Sequence, residues 1–215
     1  MNRTPLTIIM LLLLATTARS SAQQPTDDRE LQEVVVLGAK HKQRSLTSRG
    51  TRIPGAVSMF TPDKVGYEVG SALNVKHPFE LREITFDILS NKLKGATLQV
   101  TIYRDSTFAA VFPHPIPVSL TEGKRQSITV APTERTLLEP GNYIVGITFA
   151  DCDAETLQQW SLHEQWDAKT RYQMMEQHIE FPLYLKAGYI RSTATDTFER
   201  CAASIGLKVR GTLCR

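Results

Sequence analysis

Apolar and polar residues alternate along most of the chain after Gly66. The clearest case is Ala96 to Arg104, where Leu98, Val100 and Ile102 are separated by more polar residues. A period of two is expected for a strand that buries one face. Similar runs, bounded by turn residues, predict a series of strands. These strands are Tyr67–Val75, Glu83–Leu89, Ala96–Arg104, Ile116–Leu120, Gln126–Ala131, Tyr143–Phe149 and Ala203–Leu213, with a further one at Leu185.

The spacing of these strands predicts the fold class. Short strands at intervals of roughly 8 to 15 residues, joined by polar turns, favour an antiparallel two-layer β-sandwich over a parallel sheet. Glu155 to Gln177 departs from the pattern because it has no glycine or proline and is rich in helix-forming residues. We therefore expect an all-β fold with one short helix or long crossing loop near 155–177.

The first 22 residues have the features of a secretory signal peptide. Arg3 gives a positive start, Leu6 to Ala15 form a mostly apolar run, and Ser20 and Ala22 place small residues before Gln23. The apolar run is shorter than the about 20 residues that a membrane-spanning helix needs. We expect an exported protein, periplasmic or at the outer surface, with no transmembrane segment in the mature chain.

Composition and residue order divide the remaining chain into two parts. Residues 23–65 mix polar, basic and turn-forming types, which predicts a flexible N-terminal tail. Residues 66–215 carry the strand pattern and predict the sandwich domain. An apolar fraction of 41% and a charged fraction of 22% are ordinary for a globular protein. A net charge of +3 gives no reason to expect a nucleic-acid partner.

The chain has three cysteines, Cys152, Cys201 and Cys214. In an oxidising compartment this odd number leaves at least one cysteine unpaired or paired with another chain. A bridge between Cys201 and Cys214 is disfavoured, because bridged Cα atoms lie within about 7 Å and the strand predicted between them is extended. A Cys152 to Cys201 bridge and three free thiols both remain open.

Three runs of sequence carry a resemblance to a known class of domain. They are LREITFDIL, GATLQVTIYRD and LLEPGNYIVGITF, and together they cover about Tyr67 to Phe149. They resemble the jelly-roll domains of secreted and cell-surface proteins of Gram-negative bacteria, including cleaved-adhesin and galactose-binding-like modules. The resemblance implies a jelly-roll sandwich that serves adhesion, carbohydrate binding or assembly rather than catalysis.

A second resemblance lies in LQEVVVLGAK, Leu31 to Lys40. It is similar to the TonB-box region before the plug of TonB-dependent outer-membrane transporters, where an extended peptide adds a strand to a periplasmic protein. This implies that Glu33, Val34, Val35 and Val36 bind an envelope protein, either TonB-like or an outer-membrane transporter. The chain is too short to hold a plug and a 22-stranded barrel, so it is not itself a transporter. A short first strand or an inherited linker accounts for the same residues.

A basic stretch follows this segment. It contains Lys40, Lys42, Arg44, Arg49 and Arg52 and no acidic residue. Contact with an anionic glycan, a lipid head group or a peptidoglycan carboxylate would use these charges. A solvated linker explains them equally well.

Aromatic residues in the helical or looped stretch are the candidate ligand-binding group. Trp160, Trp166 and Tyr172 offer ring faces of the kind that stack on sugars, which favours a glycan ligand. Tryptophans in such a position also close the open edge of a sandwich.

Alternating acidic residues are the candidate metal ligands. Asp151, Asp153 and Glu155 could present oxygen atoms to a structural calcium ion, and a polar exit from a strand accounts for them without metal. No other cofactor is expected.

Catalytic motifs are absent from the sequence. His163 and Glu164 lack the second histidine of a zinc-protease helix, and no nucleophile elbow occurs. We therefore expect a non-enzymatic binding or assembly module associated with envelope protein complexes. The alternatives are a carbohydrate-binding protein that uses the three aromatic residues, and a glycan hydrolase with dispersed carboxylates.

Overall fold

The computed structural model describes residues 42–214, and every structural statement below concerns these residues. Two helices, α1 (Ala154–Ser161) and α2 (Ala168–Met175), interrupt a fold built from strands. The strands are β1 (Gln43–Thr47), β2 (Thr51–Phe60), β3 (Glu68–Val75), β4 (Phe79–Asn91), β5 (Thr97–Arg104), β6 (Ile116–Ser119), β7 (Gly123–Val130), β8 (Thr136–Leu138), β9 (Gly141–Asp151), β10 (Ile179–Arg191), β11 (Glu199–Ser204) and β12 (Leu207–Leu213). The predicted all-β class is confirmed.

The strands form two antiparallel layers that share β10. Layer A contains β7, β8, β4, β12, β1, β2 and the first half of β10. Layer B contains β6, β5, β9, β3, β11 and the second half of β10. The pairing of β10 with β11 shifts register between Leu185 and Gly188, as expected where a strand turns the corner from one layer to the other.

Aromatic side chains join the two layers. The ring of Phe60 on β2 stacks on Phe149 of β9, with centroids 5.6 Å apart and planes at 11°. Phe60 also meets Phe181 of β10 edge to face at 5.3 Å. All three side chains are buried. Since burying a phenylalanine side chain contributes about 1.5–3 kcal/mol, this cluster is a main source of adhesion between the layers.

The described part of the predicted N-terminal tail is not a tail. Residues 43–60 form β1, which pairs with β12, and β2, which pairs with β10. Between them lies Ser48, fully buried, whose hydroxyl accepts a hydrogen bond of 2.7 Å from the Leu207 amide. The pattern hides these strands because β1 is mostly exposed and polar, and β2 contains Pro54 and Gly55, which sequence rules disfavour in strands. The predicted signal peptide and Glu33 to Val36 lie outside the described residues.

Two further predictions need correction. The strand predicted over Ala203–Leu213 is broken at Gly206, whose φ of +67° allows the chain to leave β11 in layer B and enter β12 in layer A. The stretch Glu155 to Gln177 holds all but the first residue of α1 and the whole of α2 rather than one short helix, with a short 3₁₀ turn between them. Within residues 42–214, neither helix has the length and apolar character needed to cross a membrane.

Neighbouring residues on β2 test the role of the aromatic cluster. We expect Phe60→Ala to lower the free energy of unfolding by about 3–5 kcal/mol, because it leaves a cavity between the layers. Met59→Ala, at a side chain that is 48% exposed, should change it by about 0.5 kcal/mol or less. Urea denaturation of both variants measures the difference, and equal losses would contradict the assignment of Phe60 to the interlayer core.

Candidate functional site

A cleft opens between the two layers beside β2, and we call it the interlayer cleft. It has two adjoining parts, of about 460 Å³ beside Lys64 and Asp196 and of about 220 Å³ beside Val57 and Ser204, which we call the outer and the inner part. The two parts share Ser58, Val69 and Ile190 in their walls. Sites for small ligands or side-chain anchors are commonly recesses of this kind.

The topology explains why the cleft lies there. In the described chain β2 pairs only with β10, and it does so along the half of β10 that belongs to layer A. The other half of β10 turns into layer B and pairs with β3 and β11. The end of β2 therefore faces layer B across a gap. Phe60 closes the gap at one end, while Met59 and Ile190, 48% and 42% exposed, flank its entrance.

The inner part of the cleft is mostly apolar, although Ser58 and Tyr189 bring hydroxyl groups to its lining. Its walls include Val57, Leu183 and Ile205. Ser204 also lines it, is only 3% exposed, and makes no side-chain hydrogen bond with the described residues. The Ser204 Oγ atom itself is shielded from solvent, so it is not a contact point for an occupant of the cleft.

The entrance of the cleft is polar. The Lys64 ammonium lies 4.4 Å from the centroid of the Tyr67 ring and 3.5 Å from an Asp63 carboxylate oxygen. Hydrogen bonding with Ser192, and then the nearby Lys64, lower the pKa of the exposed Tyr67 hydroxyl. Asp196 stands at the same entrance. The cleft as a whole suits an occupant with an apolar part that enters and a polar part that stays outside.

A buried ion pair fixes one wall of this entrance. The Arg191 guanidinium contacts the Glu68 Oε2 atom at 2.6 Å through Nη2 and at 2.7 Å through Nε, and Nη2 also donates to the Tyr103 hydroxyl at 2.7 Å. Burial raises the pKa of Glu68, with Arg191 opposing it, and burial together with Glu68 raises the pKa of Tyr103 to about 12. Arg191 Nη1 donates to the Ala194 carbonyl at 3.1 Å, and its guanidinium lies 4.4 Å from the Phe198 ring. The pair thus holds the 192–198 loop at the entrance.

The predicted aromatic platform does not form a single surface. Trp160 is 7% exposed, meets Trp166 edge to face at 5.1 Å, and donates from Nε1 to the Gln177 amide oxygen at 3.1 Å. Tyr172 on α2 is 73% exposed and makes no aromatic contact within residues 42–214. The structure therefore brings the two tryptophans together as packing and leaves the tyrosine apart from them.

The predicted calcium ligands serve the start of α1. Asp153 is its N-cap and accepts hydrogen bonds from the amides of Glu155 at 3.1 Å and Thr156 at 3.2 Å. The Asp151 carboxylate accepts from the Cys152 amide at 2.9 Å. Within the described chain, no three histidine, cysteine, aspartate or glutamate side chains cluster in a way that could hold a metal. Helix capping thus accounts for this acidic pattern.

All three cysteines are free thiols in the structure. Cys152 is buried, and burial, with the nearby Asp153 and Asp151, raises the pKa of its thiol to about 11. Cys201 lies in the wall of the inner cleft, where its sulfur is 3.1 Å from the Ala203 carbonyl oxygen. Of the two alternatives left by the sequence, the structure therefore has the free thiols.

None of the cleft residues stands out in the sequence. Ser204 gives no signal either, because alternation with Ile205, Leu207 and Val209 expects a polar residue at its position. The remaining cleft residues come from β2, which the pattern assigns to the tail, and from β10, of which it predicts only Leu185. Their proximity depends on the bend of β10, which leaves no local motif.

Removal of Arg191 tests the buried pair. Arg191→Met should lower the free energy of unfolding by about 3–5 kcal/mol at pH 7, because it leaves the Glu68 carboxylate buried without a counter-charge. The loss should shrink as the pH falls, since protonation then neutralises Glu68. Arg135→Met is the control, because Arg135 is 76% exposed where it pairs with Glu80, and it should cost less than about 1 kcal/mol. Urea denaturation at pH 7 and pH 5 measures both, and a loss independent of pH would contradict this account.

Comparison with known proteins identifies no relative of this chain. No protein-family model matches the chain, and no curated protein matches it. The candidate site therefore rests on the sequence and the structure.

Proposed function

We propose that this protein is an exported, non-enzymatic binding or assembly module of the Gram-negative cell envelope. It acts in the periplasm or at the outer surface and holds an extended segment of an envelope partner protein. An aliphatic side chain of that segment occupies the interlayer cleft. The observation that carries the proposal is the mostly apolar inner cleft beside an edge strand.

The position of β2 supports a peptide partner. Within the described residues one edge of β2 is unpaired, so its backbone amides and carbonyls can receive an added strand. In this mode of recognition, backbone hydrogen bonds supply affinity and pockets for alternate side chains supply specificity. The cleft supplies such a pocket beside Val57 and Met59.

The polar groups at the entrance support binding rather than catalysis. Arg191 and Glu68 neutralise each other and hold the 192–198 loop, and Lys64 lies against Tyr67 and Asp63. These contacts shape the entrance. Carbohydrate binding through Trp160 and Trp166 has less support, because each ring packs against the other.

The N-terminal segment supplies the other half of the proposal. Its resemblance to a TonB box suggests that Glu33 to Val36 add a strand to an envelope protein, while the sandwich, of jelly-roll type, holds its own partner in the cleft. One chain would then connect two components of an envelope complex.

Photo-crosslinking in the native cells tests the cleft. With p-benzoylphenylalanine at Met59, at the entrance, we expect crosslinks to a partner protein that mass spectrometry can identify. The same probe at Tyr172, which is more exposed and lies on α2, should give few.

A second pair of variants shows whether the cleft itself is needed. Ala203→Leu fills the inner part and should reduce the Met59 crosslink about tenfold or more, the effect of losing about 1.4 kcal/mol of binding. Ala202→Leu, at the exposed neighbouring position on β11, should leave it unchanged. Equal crosslinking from Met59 and Tyr172, or no effect of Ala203→Leu in a folded variant, would contradict the proposal.

A further inference from the structure

The outer faces of the two layers differ. On layer B, Tyr103, Ile144, Tyr189 and Phe198 form a small second core that is at most 9% exposed. Phe198 belongs to the loop that Arg191 holds in place, so this face is covered by the chain itself. The outer face of layer A has no such apolar cluster among the described residues.

Within the described residues, the outer face of layer A presents hydroxyl, basic and ion-paired acidic side chains in rows across its strands. One row runs from Thr47 on β1 through Lys208 on β12 and Thr85 on β4 to Thr129 on β7. The Thr85 and Thr129 hydroxyl oxygens lie 3.1 Å apart. The next row holds Ser45 on β1, Arg210 on β12 and Glu83 on β4, and the Arg210 guanidinium pairs with the Glu83 carboxylate at 3.5 Å. We call this surface the layer A face.

A shallow depression of about 250 Å³ lies on the layer A face and concentrates positive charge. Its walls include Arg52, Arg125, Asp87 and Tyr184. The negative charge of Asp87 is balanced by Arg49, whose guanidinium lies 2.6 Å from the carboxylate. The same carboxylate accepts a hydrogen bond of 3.0 Å from the Ser127 hydroxyl. Arg52 and Arg125 are exposed and form no ion pair within residues 42–214. The depression therefore carries two uncompensated guanidinium groups.

We propose that the layer A face binds an acidic polysaccharide, with sugar carboxylates held by Arg52 and Arg125. Guanidinium groups pair with carboxylates through two parallel hydrogen bonds, which favours this planar anion. The threonine and serine rows both donate and accept hydrogen bonds, as sugar hydroxyl groups require. This mixture favours a glycan over a nucleic acid, whose single strands use exposed aromatic stacking platforms.

The proposal does not depend on the interlayer cleft. It concerns a separate surface, on the outer face of β1, β4, β7 and β12 and extending to Arg52 at the start of β2, and a ligand of different chemistry. The cleft-filling variant Ala203→Leu should therefore bind acidic polysaccharide as the wild type does.

Binding of the full mature chain to immobilised polygalacturonate tests the proposal, with neutral dextran as the reference surface. We expect binding to polygalacturonate that weakens as sodium chloride rises, because exposed charges are screened, and no binding to dextran. The double variant Arg52→Gln with Arg125→Asn should bind about tenfold more weakly or worse, a loss of about 1.4 kcal/mol. Asparagine suits position 125 because the backbone there has a φ of +44°.

The control removes the same charge elsewhere. Lys76→Gln with Lys94→Gln changes two exposed lysines outside the strands of the layer A face and should bind polygalacturonate nearly as the wild type does. Thermal unfolding confirms that each variant is folded. Equal losses in the two double variants, or equally tight binding to a DNA oligonucleotide or to anionic phospholipid vesicles, would overturn the proposal.

Discussion

The bend of β10 is the constraint on which the rest of this structure depends. The strand starts in layer A beside β2 and β4 and ends in layer B beside β3 and β11. Gly188 lies at the bend, and a Cβ atom there would overlap the carbonyl oxygen of Ala203 on β11. The close approach of these backbones lets one strand close the corner of the sandwich. It also leaves the end of β2 without a neighbour, and the interlayer cleft is the result.

The same corner gives each surface of the sandwich a different character. Arg191, near the end of β10, is buried against Glu68 and holds the loop that covers layer B. Layer A has no comparable cover among the described residues, so its hydroxyl and basic rows meet solvent. The peptide site that we propose in the cleft and the polyanion site that we propose on layer A thus depend on one topology. Both are binding roles, and neither requires a catalytic group.

The sequence predicts the regular part of this fold well. Alternation places β3, β4, β5 and β9 closely because each turns an apolar face to the interlayer core and pairs within a single layer, so local pattern and final environment agree. Alternation does not predict β2, because Pro54 and Gly55 lie within this edge strand. It also predicts one strand across Gly206, although the residues before and after Gly206 belong to different layers. The cleft is harder still to predict, because Val57, Ser204 and Ile190 meet only after β10 bends. Trp160 packs against Trp166 instead of offering a face to a sugar, and Asp153 caps α1 instead of binding calcium.

A crystal structure of the protein under xenon pressure would test the central claim most directly, since xenon occupies accessible apolar cavities. The account predicts a xenon site in the inner cleft, between Val57, Leu183 and Ile205, with the Ser204 hydroxyl unpartnered in its wall. A cleft without xenon, closed by β2 packing directly on layer B, would contradict it. Without that recess the chain would have no anchor for a partner, and the proposed binding role would lose its site.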